Sequence, residues 1–298
     1  MESPIAYRDG QFLPQDELML SIHDAGFVWG ATITDRCRTV HHKLYRWADH
    51  LDRFRRSCRA TEIYPALSQD EIDQAARELV KQNVADLPTH LDLTLVMITT
   101  PGEVRYPTER EVASTFFMYT QPLPLTTYKP LFEQGARLVI PTTRHVPNES
   151  IDPRIKQRSR LHWWLAEQEA RRADTDASAL LLDKDGYVTE TVWANVLLVK
   201  EDVVYSPPRH TILEGVSLQV VTELCERVGI PFQEKPMTGY DAINADEAML
   251  TCTSYCLAGV SRINHIPLTW PGPVFAKLLE AWSFDLGLDI RGQFVSSG

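Results

Sequence analysis

Four cations stand within seven residues at Arg154-Ile155-Lys156-Gln157-Arg158-Ser159-Arg160. Such a stretch reads as a solvated charged face ahead of a helix, as a patch for nucleic acid, or as the setting of a lysine that forms a Schiff base with a carbonyl carbon. The last chemistry needs an amine that sheds its proton near neutral pH, and flanking cations and burial both lower an ammonium's pKa. Lys156, between Arg154 and Arg158, is the candidate. The nucleic-acid reading lacks aromatic or further basic neighbours upstream. The chain as a whole carries 30 Lys and Arg against 40 Asp and Glu, a net charge of −10. A chain this acidic has no global attraction for nucleic acid or an anionic membrane.

Two further segments offer chemistry of other kinds. In Asp183-Lys184-Asp185-Gly186-Tyr187-Val188-Thr189-Glu190-Thr191, followed by Trp193-Ala194-Asn195-Val196, a tight turn launches a strand whose Glu190 lies between apolar residues. A single acid on a strand is usually an exposed side chain. Ile212-Leu213-Glu214-Gly215-Val216-Ser217 opens an amphipathic helix. The first N–H groups of a helix and the positive end of its dipole suit a phosphate, although Ser217 also reads as an ordinary early helix residue. Metal chemistry is not expected. The five cysteines, Cys37, Cys58, Cys225, Cys252 and Cys256, are scattered and form no CxxC pair, and the nine histidines show no ligand spacing. The odd, scattered cysteines point to a reducing compartment, and the N-terminus has no secretory pattern, so a cytoplasmic protein is expected. No apolar run approaches the roughly 20 residues of a membrane span.

These residues need elements to hold them. Strands are expected at 28–40, 91–99 and 114–120, and helices from Asp49 to about 60 and over 69–83. Three prolines in residues 121–130 stop a helix or a central strand, which puts a linker there. The expected division is a small domain over 1–120, a linker over 121–130 and a larger domain over 131–298. The latter takes strands at 136–141, 178–183, 187–191, 194–199 and 248–252 and helices at 157–172, 216–228 and 273–283. The fold class is mixed, α/β to α+β. Taken alone it says nothing of function.

In order, these segments resemble the class IV aminotransferases, the group that includes branched-chain and D-amino-acid aminotransferases and aminodeoxychorismate lyases. Asp24-Ala25-Gly26-Phe27-Val28-Trp29-Gly30 looks like the family's D-x-G-F-x-Y-G, and His50-Leu51-Asp52-Arg53-Phe54 like its H-L-x-R-L helix. Ile155-Lys156, the run 183–195, the L-x-G-[IV]-[ST] run 213–217, and Asp246-Glu247-Ala248 leading to Thr251-Cys252-Thr253-Ser254 complete the series. The resemblance implies the fold type IV architecture, with pyridoxal 5'-phosphate in a cleft between a small and a large domain, and a homodimer. It implies that Lys156 holds the cofactor and shuttles the proton between Cα and C4′. Glu190 would pair with the pyridine nitrogen, with Asn195 from the same run among the cofactor-binding residues. Arg53, the N–H groups of Val216 and Ser217, and the hydroxyls of Ser217 and Thr253 would hold the phosphate.

The substrate side departs from the family. Ser159, Arg160 and Leu161 stand where branched-chain enzymes carry a Tyr about one turn after the lysine. Thr94, Val96, Ile98 and Thr100 stand where relatives often carry Arg or Tyr. Alternation along 30–38 puts Thr32, Thr34, Arg36 and Arg38 on one face. Because that strand lines the pocket in the family, Thr34, Arg36 and Arg38 are candidate substrate residues, the guanidiniums suiting a carboxylate. The alternative for them is an ion pair with Asp35 or Asp92. Ser254 and Tyr255 complete the substrate set, the large Tyr255 narrowing the pocket. The expected reaction moves an amino group between an amino acid and a 2-oxo acid by a ping-pong mechanism. The alternatives are a lyase using the same lysine and a non-catalytic cofactor-binding protein.

Overall fold

The computed structural model describes residues 3–104 and 113–296. It divides into two compact units: Met1–Leu123 with Ile155–Ser159, and Pro124–Arg154 with Arg160–Gly298.

The first unit is built on a six-stranded antiparallel sheet. Its strands are β1 (Ile5–Arg8), β2 (Gln11–Pro14), β3 (Ile33–Val40), β4 (Lys43–Leu44), β5 (Leu93–Thr100) and β6 (Thr115–Pro122), in the order β2-β1-β6-β5-β3-β4. A short helix, α1 (Ala25–Val28), precedes β3, and two long ones, α2 (Trp47–Thr61) and α3 (Gln69–Asn83), follow β4. One face of the sheet packs on the two long helices. Trp47, Leu51, Phe54 and Cys58 of α2 and Ile72, Ala76 and Leu79 of α3 meet Cys37, Leu95, Met97, Phe116 and Met118. The 3.6-residue spacing of the first set and the two-residue spacing of the second make this layer. Ser68 and Glu71 form a capping box that starts α3.

Three expectations change here. Residues 28–32 are not strand: Asp24 accepts a bond from Gly26 N–H at 2.7 Å and caps α1, so β3 begins only at Ile33. Asp49 does not cap α2. The helix begins at Trp47 after Arg46 turns the chain in the left-handed region, and Asp49 pairs back to Arg46 from the first turn. Residues 155–159 join the first unit and not the helix that follows. Thr34 N–H donates to Lys156 O at 3.0 Å, Arg158 N–H to Thr32 O at 3.1 Å, and Ile33 faces Gln157 across the pair. The free edge of β3 claims this backbone, so α5 (Leu161–Ala173) starts four residues later than the periodicity suggests.

The second unit opens with α4 (Leu125–Glu133) and β7 (Ala136–Val139) ahead of α5. After α5 come β8 (Ala177–Leu182), β9 (Val188–Thr191), β10 (Asn195–Lys200), β11 (Val203–Ser206), α6 (Val216–Val228), β12 (Phe232–Glu234), α7 (Gly239–Ile243), β13 (Glu247–Cys252), β14 (Cys256–Ile263), β15 (Ile266–Pro267), α8 (Pro273–Leu286) and α9 (Ile290–Val295). Its mixed sheet runs β12-β11-β10-β13-β14-β7-β8-β9, with β15 on β14. One further pair, Asn195 with Glu190, joins β9 back to β10, so the six strands from β10 round to β9 close on themselves.

The stretch 121–130 contains the boundary between units, but most of it is regular structure and not an open linker. β6 runs through Pro122 at its end, where β1 no longer pairs with it. Pro124 precedes α4, and Pro130 lies inside that helix. The boundary between units falls at Leu123 and Pro124.

Candidate active site

The first unit contributes a lysine with a buried charge cluster nearby. Lys156 is half-buried on the segment paired with the start of β3, and its N–H donates to Ser57 Oγ of α2 at 3.1 Å. One turn earlier on α2, Arg53 is buried and makes a forked contact with Asp35 of β3, Nε to Oδ2 and Nη2 to Oδ1, both at 2.8 Å. His50 Nδ1 meets the same carboxylate at 2.8 Å. Burial alone would raise the Asp35 pKa. The Arg53 charge and the His50 hydrogen bond outweigh it and hold the carboxyl well below the usual aspartate range. A carboxylate can only accept, so His50 Nδ1 donates.

The second unit contributes a carboxylate fixed by two donors. Glu190 Oε2 accepts from Asn195 Nδ2 at 3.0 Å and from the Leu213 N–H at 3.3 Å. Asn195 Nδ2 also donates to Leu213 O at 2.9 Å, which ties the start of β10 to the turn before α6. Gly215, the N-cap of α6, has to be glycine, since a Cβ there would collide with Asn195 Oδ1. The Glu190 Oε1 atom faces His145 Nε2 at 3.9 Å, and His145 Nδ1 donates to Val146 O at 2.9 Å. Burial lowers the His145 pKa and keeps the ring neutral beside Glu190. Val216 and Ser217 form the first turn of α6, where backbone N–H groups have no helical partner. Thr253, Ser254 and Tyr255 make the three-residue turn between β13 and β14, closed by the pair Cys252 and Cys256.

The expected site residues are divided between the two units, and some of them have structural work of their own. Lys156, Arg53 and Thr34 lie in the first unit, and Glu190, Asn195, Val216, Ser217, Thr253 and Ser254 in the second. Asn195 donates to Glu190 and so positions that carboxylate. Thr34 is buried with its hydroxyl bonded to Met97 O at 2.8 Å. Arg38 takes the ion-pair alternative: it is 1% exposed, with Nη2 3.5 Å from Asp92 and Nε donating to Thr39 O. That burial removes it from the substrate set. Arg36 pairs with neither Asp35 nor Asp92. Its Nη2 donates to Gln121 Oε1 at 3.3 Å. The Tyr255 ring does not narrow a pocket. It is 3% exposed, edge-on to Tyr128 at 5.1 Å in the core of the second unit.

Sequence reasoning missed His145, Ser57, Leu213 and the use of Asp35 by Arg53. Of these only Asp35 left a signal, an acid on a strand position that alternates with apolar core residues. The others depend on contacts between residues far apart in the chain. A cavity of about 710 Å³ between α4, α8 and α9 is lined by Phe132, Trp270, Phe275 and Leu279 and shares no residue with either cluster.

Comparison with known proteins gives the same family from an independent direction. The family Amino-transferase class IV matches residues 32–263. The chain is 27% identical to the D-alanine aminotransferase of Bacillus licheniformis over 92% of this chain and 94% of that one. It is 27% identical to branched-chain-amino-acid aminotransferase-like protein 2 of Arabidopsis thaliana, over 93% of this chain and 49% of that one. Among solved structures, it superposes on a branched-chain aminotransferase from Thermoproteus uzoniensis with a TM-score of 0.86 and 22% identity, over 96% and 95% of the two chains. That likeness establishes the fold type IV architecture.

Proposed function

Since the chain belongs to the class IV aminotransferases, enzymes that use pyridoxal phosphate, we propose that Lys156 holds the cofactor and that Glu190 partners its pyridine nitrogen. The observation that carries this reading is the fixed Glu190. Two donors hold this carboxylate in place, and a carboxylate so held can accept the N–H of a protonated ring nitrogen. The donor set fits the group, with a half-buried lysine, a positioned carboxylate and the open first turn of α6. When bound, pyridoxal phosphate supplies the carbonyl carbon that takes the amino group and a ring that accepts the electron pair of the Cα–H bond.

The remaining steps belong to the chain. With the cofactor bound, the amine of Lys156 would take the proton from Cα and return it at C4′. Arg53, the Val216 and Ser217 N–H groups, and the Ser217 and Thr253 hydroxyls hold the phosphate, so the lysine can leave and return without losing the cofactor. Thr34 and Ser254 border the substrate. The amino donor leaves as a 2-oxo acid before the acceptor enters.

The reading extends to a homodimer in the cytoplasm. Ile22, Phe27 and Trp29 are 71%, 71% and 63% exposed on one short segment of the first unit, an apolar patch that favours a partner surface. The five cysteines form no disulfide among the described residues, which accords with a reducing compartment.

Visible absorption of the purified protein with pyridoxal phosphate tests the reading. A band is expected that Lys156→Ala abolishes and that a donor from a panel of L- and D-amino acids bleaches. A band that persists without the lysine would sink the Lys156 assignment.

A further inference from the structure

Beyond the Lys156 reading, on which this rests, one face of the first unit's sheet carries two guanidiniums without an acid. Across the antiparallel strands Arg36 lies beside Val96, and Val96 beside Tyr119. The segment paired with the start of β3 sets Lys156 opposite Thr34 and Arg158 opposite Thr32, on either side of the Ile33–Gln157 pair. Opposed residues of an antiparallel pair point the same way, and residues two apart on a strand share a face. Lys156, Arg158, Thr34, Arg36 and Tyr119 therefore share one face. Ile155, at the alternate position, packs into the core with α2 and α3 on the other.

Neither guanidinium has a carboxylate within ion-pair distance among the described residues. Arg36 is half-buried, and its one side-chain bond goes to the neutral Gln121. Arg158 is half-buried too, and its Nε is shut off from solvent with no hydrogen-bond partner. Burial, with Arg36 as a further cationic neighbour, lowers the Arg158 pKa. The acids at hand are committed elsewhere, Asp35 to Arg53 and His50, Asp92 to Arg38 and Thr39. A solvated charged face would leave both side chains in water. A guanidinium withdrawn from water with an unmet donor is unfavourable until an anion arrives.

We propose that Arg36 and Arg158 together bind a carboxylate of the substrate. On the same face, two residues from Lys156 along the strand, Arg158 stands roughly 7 Å away at the backbone. A carboxylate gripped there leaves the rest of a small amino acid within reach of the lysine. The pair also accounts for Arg38: alternation puts three candidates on the face, and only the one with Asp92 as neighbour is neutralised.

The test is calorimetric titration of the holoenzyme and its Arg36→Gln, Arg158→Gln and double variants with a five-carbon monocarboxylic acid, its amide, and the matching dicarboxylic acid. Each single variant should weaken binding of the acids about 10- to 100-fold, the loss of a charge-assisted bond, while amide binding moves less than about 3-fold. Arg36→Lys and Arg158→Lys, which keep the charge, should recover part of the loss and guard against a misfolded glutamine variant. A greater loss for the dicarboxylic acid assigns the pair to a distal carboxylate, and an equal loss to the α-carboxylate. Acid and amide weakened alike, or neither weakened, overturns the proposal. So does loss of cofactor from the variants, which would make the pair a phosphate site. The lysine-dependent visible band is recorded first, so a failure of the Lys156 reading is seen separately from a failure of the arginine pair.

Discussion

At the scale of single residues, the buried cluster around Asp35 combines charge with position. Asp35 fixes the Arg53 guanidinium, which the proposed phosphate role needs, and Asp35 is tolerable in the core only because Arg53 and His50 meet it. Removing one partner of a buried pair leaves the other uncompensated, which costs about 3–5 kcal/mol. Asp35→Asn should therefore lower the thermal midpoint markedly and loosen cofactor retention together. The folded pKa of Asp35 is depressed, so its stabilisation is complete above the ordinary aspartate value near about 4 and fades as pH falls below it. Melting curves from pH 7 to pH 3 should show the native protein losing stability towards the variant, and parallel curves would refute the coupling. Gly215 makes the opposite point, that a missing side chain can be required. Gly215→Ala should push Asn195 from Glu190, cost about 1–3 kcal/mol by overpacking and reduce turnover, read from melting and initial rates.

At the scale of elements, charge placed at helix ends organises the second unit. Glu247 at the start of β13 is buried and accepts from the Val274 and Phe275 N–H groups of α8, both at 2.9 Å. Pro273 occupies the first helical position, where a missing N–H costs nothing, and Gly272 before it leaves space that a Cβ would take from the Glu247 carboxylate. Glu247→Gln keeps an acceptor and loses the charge at the positive end of the dipole, a cost of about 1–2 kcal/mol. A fall of roughly 2–8 °C in melting temperature is expected, with the lysine-dependent band retained once folded. No fall would mean that water or a rearranged backbone replaces the carboxylate.

At the scale of the whole molecule, the exposed segment before β3 bears on assembly. Ile22, Phe27 and Trp29 present apolar surface that a lone chain would leave in water. Replacing Phe27 and Trp29 by Glu is expected to convert a dimer to a monomer on size exclusion with light scattering. A wild-type monomer at micromolar concentration would remove the homodimer from the reading. The same scale governs the segment 155–159, which lies between two stretches of the second unit in sequence and belongs to the first by contact. Lys156 thus owes its setting to β3 and α2.

The sequence alone determined the family and the long elements α2, α3, α6 and α8, and it singled out Lys156, Glu190 and the start of α6 as the candidates for chemistry. Those depend on local order: periodic apolar spacing, turn residues and residue types at fixed offsets, all readable along the chain. Tertiary structure alone decided which of two similar arginines is neutralised, since Asp92 is 54 residues from Arg38 in sequence and beside it in space. It decided that Asn195 serves Glu190, because the contact arises where β9 closes onto β10. It also decided where α5 begins and that residues 155–159 belong to the first unit. A free strand edge draws in backbone from anywhere it can reach, and a proline can stand even inside a short helix, as Pro130 does in α4.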